Sequence, residues 1–253
     1  MIMEPAQRRS GGADRGPSTG SGAGRIVGRD QASTATGAVV IIDVLRAFST
    51  AAYAFGSGAE SIMLVEDPRQ ALELKAQDPD ILLAGEDHGR RIAGFDFANS
   101  PAELGAAQLT GRRLVLRTSA GTRGAVAAIN ADRIWCTGLV TAAATAAAVA
   151  ASGLGAPTYV ITGQHPDTPG RGEDDRETAA YIESLRTGRP LDRQAVAARI
   201  AEGPEAAVTL ALGTGHVHPD DIALAMRADR FDFAMEAGRV HRNLVLRAVR
   251  LAP

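Results

Sequence analysis

AVVIID, residues 38–43, is a nearly unbroken run of Val and Ile that stops abruptly on an acid. It is too short for a helix and shows no alternation of polar with apolar positions, so it predicts a strand buried on both faces. Working outward, similar apolar runs recur at 61–65, 80–85, 112–117, 133–137 and 157–162. Helix candidates lie between them at 46–57, 68–77, 100–109, 122–130 and 140–152. One is well signed: Ser100 stands at the cap, Pro101 at the first helical position and Glu103 three residues after the cap, a capping box. The strand–helix order implies right-handed crossovers. The expected fold is therefore a layered α/β/α domain with a mostly parallel sheet. After residue 173 three or four more helix candidates form an appended C-terminal portion, followed by FDFAM (231–235) as a late strand.

Composition narrows the function. The 253 residues carry a net charge of −2 and only 4% aromatics, which excludes a general phosphate-tracking surface or a base-stacking platform. Cys136 is the only cysteine, so no internal disulfide and no multi-cysteine metal site can form. Lys75 is the only lysine and lacks flanking glycines, which rules out a GxxxxGK[ST] phosphate loop. Residues 1–37 hold eight glycines and two prolines and are expected to be a flexible or disordered tail, leaving 38–253 as one domain. No apolar run suits a signal peptide or a membrane span. The chain therefore reads as cytoplasmic, without nucleic-acid or membrane partners, and with its oligomeric state, homo-oligomer included, left open.

In open parallel sheets ligands bind beyond the carboxyl ends of the strands. There the sequence places Asp43 and Arg46 after the first strand, Glu86 and Asp87 after the third, and Thr118, Ser119, Ala120, Gly121, Thr122 and Arg123 after the fourth. A polar loop after the sixth reaches Glu173, Asp174 and Asp175. Carboxylates without clustered Cys or His suit a hard cation such as Mg²⁺ shared with substrate phosphate. The TSAGT turn offers backbone N–H groups to an anion, and arginine grips phosphate or carboxylate oxygens. Asp43 remains open between helix cap, metal ligand, base and nucleophile. His216 and His218 lie in HVHPDD, which reads as a helix entry rather than a metal motif, and Cys136 reads as a core thiol.

VVIIDVLRAFSTA, GEDHG, GFDFANSPAEL, RTSAGTRGA, GEDDRETAAYI and HPDDIALAMRADRFDF follow one another over roughly residues 38–236. In this order and spacing they resemble the 2-phosphosulfolactate phosphatase family. The resemblance implies an Mg²⁺-dependent phosphoric monoester hydrolase that converts (2R)-2-phospho-3-sulfolactate to 3-sulfolactate and phosphate, a step towards coenzyme M. It implies catalytic Asp43, Glu86 and Arg46, with metal on Asp43, Glu86 and Asp175. Asn99, Ser100, Thr118, Ser119, Gly121, Thr122 and Arg123 would bind the substrate, a small phosphorylated carboxylate or sulfonate. Asn99 enters on resemblance alone. Asp87 stands where the family usually has a basic residue, and Ala120 where Asn is common. No opening strand is evident before the first motif, which would leave a bare sheet edge. The alternative is a non-catalytic, anion-binding member with a decayed site.

Overall fold

The structure, a computed structural model, describes residues 22–251. Its amino-terminal half runs β1 (Arg25–Gly28), β2 (Gly37–Ile42), α1 (Ala47–Gly56), β3 (Ser61–Val65), α2 (Pro68–Gln77), β4 (Leu82–Asp87), β5 (Arg90–Arg91) and β6 (Phe97–Ala98). Then come α3 (Pro101–Ala106), β7 (Arg113–Arg117), α4 (Gly121–Ala127), β8 (Ala131–Thr137), α5 (Ala142–Ala151) and β9 (Thr158–Ile161). Four helices follow, α6 (Glu173–Arg186), α7 (Arg193–Ala201), α8 (Pro204–Ala211) and α9 (Asp221–Ala225), and the chain closes on β10 (Ala234–Val240) and β11 (Asn243–Val249).

The sheet order is β1-β9-β2-β8-β10-β11-β3-β7-β4-β5, with β6 paired to β4. Strands β1, β9, β2 and β8 form one parallel block, and β3, β7 and β4 another. The β10–β11 hairpin joins them through antiparallel ladders on both sides. The fold is thus the layered α/β arrangement that the alternating runs predict. The last two strands, however, sit in the middle of the sheet. FDFAM overlaps only the start of β10, and the hairpin turns at His241, which has φ +54.

The hairpin reverses strand direction between the two blocks, so in a flat sheet the ends of β2 and β4 would lie on opposite edges. Six strand-to-strand steps separate them, and a twist of about 20–25° per step accumulates to about 120–150°. That curl turns both carboxyl ends towards one cleft.

Period-two alternation splits the strands between two faces. Val39, Ile41, Cys136, Val160, Met235, Leu246, Leu64 and Leu116 point to the concave face, against Phe48 and Ala51 of α1, Leu104 of α3 and Ala125 of α4. Val40, Ile42, Trp135, Tyr159 and Ile161 point outward against α5, α6 and α7. Val65, Leu83 and Val115 pack with Ala71 of α2. Cys136 is a buried core thiol whose pKa burial pushes up.

Part of the expected tail is ordered secondary structure. Arg25–Gly28 pairs in parallel with Thr158–Ile161, and Arg29–Thr34 forms a 3-10 turn with Ala32 buried. The opening strand that the sequence lacks at first sight is β1, and it covers the edge of β9. The rest of that tail, residues 1–21, lies outside the described residues. Among the described residues no helix is long and apolar enough to cross a membrane.

Candidate active site

A cleft of about 620 Å³ opens where the ends of β2, β4, β7 and β9 meet α6 and α8, within the range of small-molecule sites. Asp43 stands at its floor, where β2 ends. Asp43 Oδ1 accepts the Ala47 N–H at 2.9 Å, capping α1, and Oδ2 accepts the Thr162 hydroxyl at 3.2 Å. Gly121 is required beside it, because a Cβ there would lie 2.7 Å from Asp43 Oδ2 and 2.7 Å from the Ala47 Cβ. Burial first, and then Glu86, push Asp43 up to about 6 against the Ala47 hydrogen bond.

Asp175, on the first turn of α6, is locked in place. Its Oδ1 accepts the Val44 N–H at 3.0 Å, and its Oδ2 accepts the Gly163 N–H at 3.0 Å and the Thr162 hydroxyl at 3.4 Å. Asp174 also lines the cleft and is buried. Burial, then Glu205 and Asp43, push it up to about 7. Asp43, Asp174 and Asp175 thus form a desolvated acidic floor whose members repel one another.

The opposite wall comes from β4 and β7. Glu86 Oε1 accepts the Ser119 N–H at 2.5 Å, while Oε2 accepts the Ser119 hydroxyl at 3.1 Å and the Gly89 N–H at 2.5 Å. Gly85 makes that approach of strands feasible: its φ is +148 and a Cβ would lie 2.0 Å from the Arg117 carbonyl oxygen.

Several expected site residues do structural work instead. Thr118 and Thr122 bond each other: the Thr118 N–H donates to Thr122 Oγ1, and the Thr122 N–H to Thr118 Oγ1. The Ser119 amide is held by Glu86, so that N–H of the TSAGT turn is engaged within the protein. Ser100 caps α3, accepting the Glu103 N–H, and its hydroxyl donates to Asp221 at 2.6 Å. Arg46 lines the cleft, but its guanidinium is 3% exposed and donates to Asp221 at 2.9 Å and to the His216 carbonyl at 3.1 Å. The grip expected on phosphate is a grip on α9 and the loop before it, because Asp221 is fully buried and needs a cation. His216 and His218 accept backbone N–H groups through Nδ1 and hold no metal-ligand arrangement together.

Asn99 lies in the cleft wall with Oδ1 buried and unpartnered, as is Oε2 of Glu205 on α8. Buried polar atoms are normally paired, so two orphans on one cleft point to a bound polar group. Arg123 lines the mouth. Asp174, named within the acidic cluster, also lines the cleft, as do Arg29, Arg171 and Glu205, which the sequence did not single out. Arg29 sits in the supposed tail, Arg171 directly precedes the GEDDRETAAYI motif, and nothing near Glu205 forms a motif.

The family described as 2-phosphosulpholactate phosphatase matches residues 26–164, from β1 to the turn after β9. The chain belongs to this family. A relative from Bacillus subtilis (strain 168), named a probable 2-phosphosulfolactate phosphatase, is 37% identical over 149 residues, 59% of this chain and 64% of the relative. Relatives of the same name from Deinococcus radiodurans and Caldicellulosiruptor saccharolyticus are 43% identical over 83 residues and 41% over 107. These two matches cover 33% and 42% of the chain and 35% and 44% of those relatives. The chain thus spans about a third to two thirds of the length of these curated relatives. Asp43, Glu86, Asn99, Ser119 and Arg123 lie inside the matched stretch, whereas Asp174, Asp175, Glu205 and Asp221 lie beyond it.

Proposed function

We propose that the cleft hydrolyses the phosphate monoester of a small 2-hydroxy acid bearing a second acidic group, with Mg²⁺ as cofactor. (2R)-2-Phospho-3-sulfolactate is the ester favoured by the family and by its charge. The observation that carries this reading is the buried pair Asp43 and Asp174, raised to about 6 and about 7, facing arginines across one small cleft.

The donor set is all carboxylate oxygen, which fits a hard cation. Asp174 would hold it, with Asp175 beside it in sequence, while Asp43, engaged on both oxygens by Ala47 and Thr162, is left to act as the base. Glu86, engaged on both oxygens by Ser119 and Gly89, instead fixes the turn carrying Arg123. Among the described residues no three His, Cys, Asp or Glu side chains form a ready-made cage. This suits an ion that uses one or two carboxylates and completes its shell with water and substrate phosphate. Bound there, the cation supplies charge stabilisation to the phosphoryl oxygens.

The chain's own groups then divide the work. Asp43, ionised above pH 6 or so, accepts the proton of the attacking water. The water oxygen bonds phosphorus, the ester P–O bond breaks, and the leaving oxygen takes up the proton that Asp43 accepted from the water. The 2-hydroxy acid thus departs neutral at that oxygen, and Asp43 is again ionised. The side-chain N–H donors of Asn99 and the Arg123 guanidinium bind the substrate's acidic groups, and the buried Asn99 Oδ1 is left to accept from a hydroxyl or water.

The test is phosphate release from 2-phosphosulfolactate and 2-phospholactate, with Mg²⁺ and with EDTA. Metal-dependent release supports the reading, and the ratio of the two rates reports whether the sulfonate is recognised. Tight phosphate binding with no release from either ester favours an anion-binding member that has lost turnover.

A further inference from the structure

Arg29 stands where the sequence shows no site. Its backbone N–H donates to the Gln164 carbonyl at 3.0 Å, and its Nη1 donates to the Ser119 carbonyl at 2.8 Å. Arg29 therefore ties the loop after β9, through its backbone, to the turn after β7, through its side chain. Its stem passes over α4 at Gly124, where a Cβ would stand 3.7 Å from Arg29 Cγ and 3.0 Å from Thr162 Cγ2.

The buried arginines among the described residues have carboxylate partners: Arg46 pairs with Asp221, and Arg117 with Asp87. Among the described residues neither Arg29 nor Arg123 has one, although both line the cleft. A guanidinium has five N–H donors, and one of those on Arg29 is engaged. Burial, and then the like charge of Arg123, lower the pKa of Arg29, while Asp43, Asp167 and Asp30 raise it from beyond ion-pair distance. Half-buried Arg29 beside the like charge of exposed Arg123 carries a cost that an anion between them removes.

We propose that Arg29 is a substrate-contacting residue that, with Arg123, clamps the phosphoryl oxygens over Asp43. This rests on the phosphatase reading and assigns the residue that holds the reacting group. The planar fork of arginine suits such bidentate contact, where lysine offers only a point charge. The second acidic group of the substrate would be held elsewhere, by the side-chain N–H donors of Asn99 in the cleft wall.

The experiment measures competitive inhibition of the full-length protein by inorganic phosphate and, separately, by 3-sulfolactate, alongside KM and kcat. It compares wild type with Arg29→Gln, Arg29→Lys and Arg123→Gln, and melting curves monitor folding. Loss of a charge-assisted contact is expected to weaken phosphate binding about tenfold or more in Arg29→Gln, with Arg29→Lys in between and 3-sulfolactate inhibition unchanged. Phosphate affinity unchanged in Arg29→Gln overturns the clamp, as does a loss confined to 3-sulfolactate. If Arg29→Gln does not fold, Arg29→Lys decides: phosphate affinity equal to wild type overturns the proposal. If wild type hydrolyses no ester, phosphate binding is read by calorimetry instead: Arg29-dependent binding sustains the clamp and removes the phosphatase reading, so the two fail separately.

Discussion

Replacing Arg46 by Met should unfold the protein more readily rather than only slow it. Arg46 is 3% exposed and Asp221 fully buried, and their 2.9 Å contact joins the start of α1 to α9. Asp221 also accepts the Ser100 hydroxyl at 2.6 Å, the Ala102 N–H at 3.1 Å and the His218 N–H at 3.0 Å. Removing the guanidinium leaves a carboxylate with neutral donors but no cation. Breaking a buried pair from one side typically costs about 3–5 kcal/mol, which for a chain of this size lowers Tm by about 6–20 °C. Melting followed by circular dichroism measures it. The double variant Arg46→Met, Asp221→Asn removes the stranded charge while keeping an acceptor for Ser100, and it should recover at least half of the loss. A folded Arg46→Met protein melting within about 2 °C of wild type, yet unable to bind phosphate, would refute this reasoning and return Arg46 to the role of a direct substrate ligand.

Asp43→Asn should abolish ester hydrolysis with the fold intact, since the amide oxygen still accepts the Ala47 N–H; an active variant removes Asp43 from the mechanism. Asp174→Asn should lose activity but gain stability. Asp174 is raised from 3.8 to about 7, so the folded state holds a proton that the unfolded chain releases, and stability from this group is lost as pH rises from about 4 to about 7. The gain should approach about 4 kcal/mol at pH 8 as an upper bound and shrink to about 2 kcal/mol at pH 5, and equal gains at both pH values in thermal melts would refute the burial of its charge. Mg²⁺ added at pH 8 should raise the Tm of wild type and leave that of Asp174→Asn nearly unchanged. Gly121→Ala should lower both activity and Tm, because its methyl would press on Asp43 and Ala47; wild-type kinetics from that variant would show that the floor of the cleft has room to move.

Local chemistry carried much of the fold into the sequence. The runs at 38–43 and 61–65 are β2 and β3 almost residue for residue, and the Ser100 cap accepts the Glu103 N–H as its spacing implies. Asp43, Glu86, Ser119 and Arg123 reach one cleft because strand ends are legible and sites gather there. What escaped was non-local. β1 has four residues, two of them exposed, and becomes a strand only through β9, more than a hundred residues away. With it went Arg29. Nor could spacing reveal that Arg46 has a buried partner at Asp221, or that Glu205 would lie beside Asp174.

The topology explains why the acids that matter are divided along the chain. β2 and β9 deliver Asp43, Thr162 and, through the loop into α6, Asp174 and Asp175; β4 and β7 deliver Glu86, Ser119 and Arg123. Among the described residues, the β10–β11 hairpin is what pairs the two strand blocks in one sheet. The residues closest to the C-terminus therefore set the curl that brings floor and wall together, although none of them lines the cleft. Contacts of such sequence separation form late in folding, after the loop-closure entropy has been met. Neither parallel block alone holds both Asp43 and Glu86, so the cleft is complete only when the hairpin has inserted.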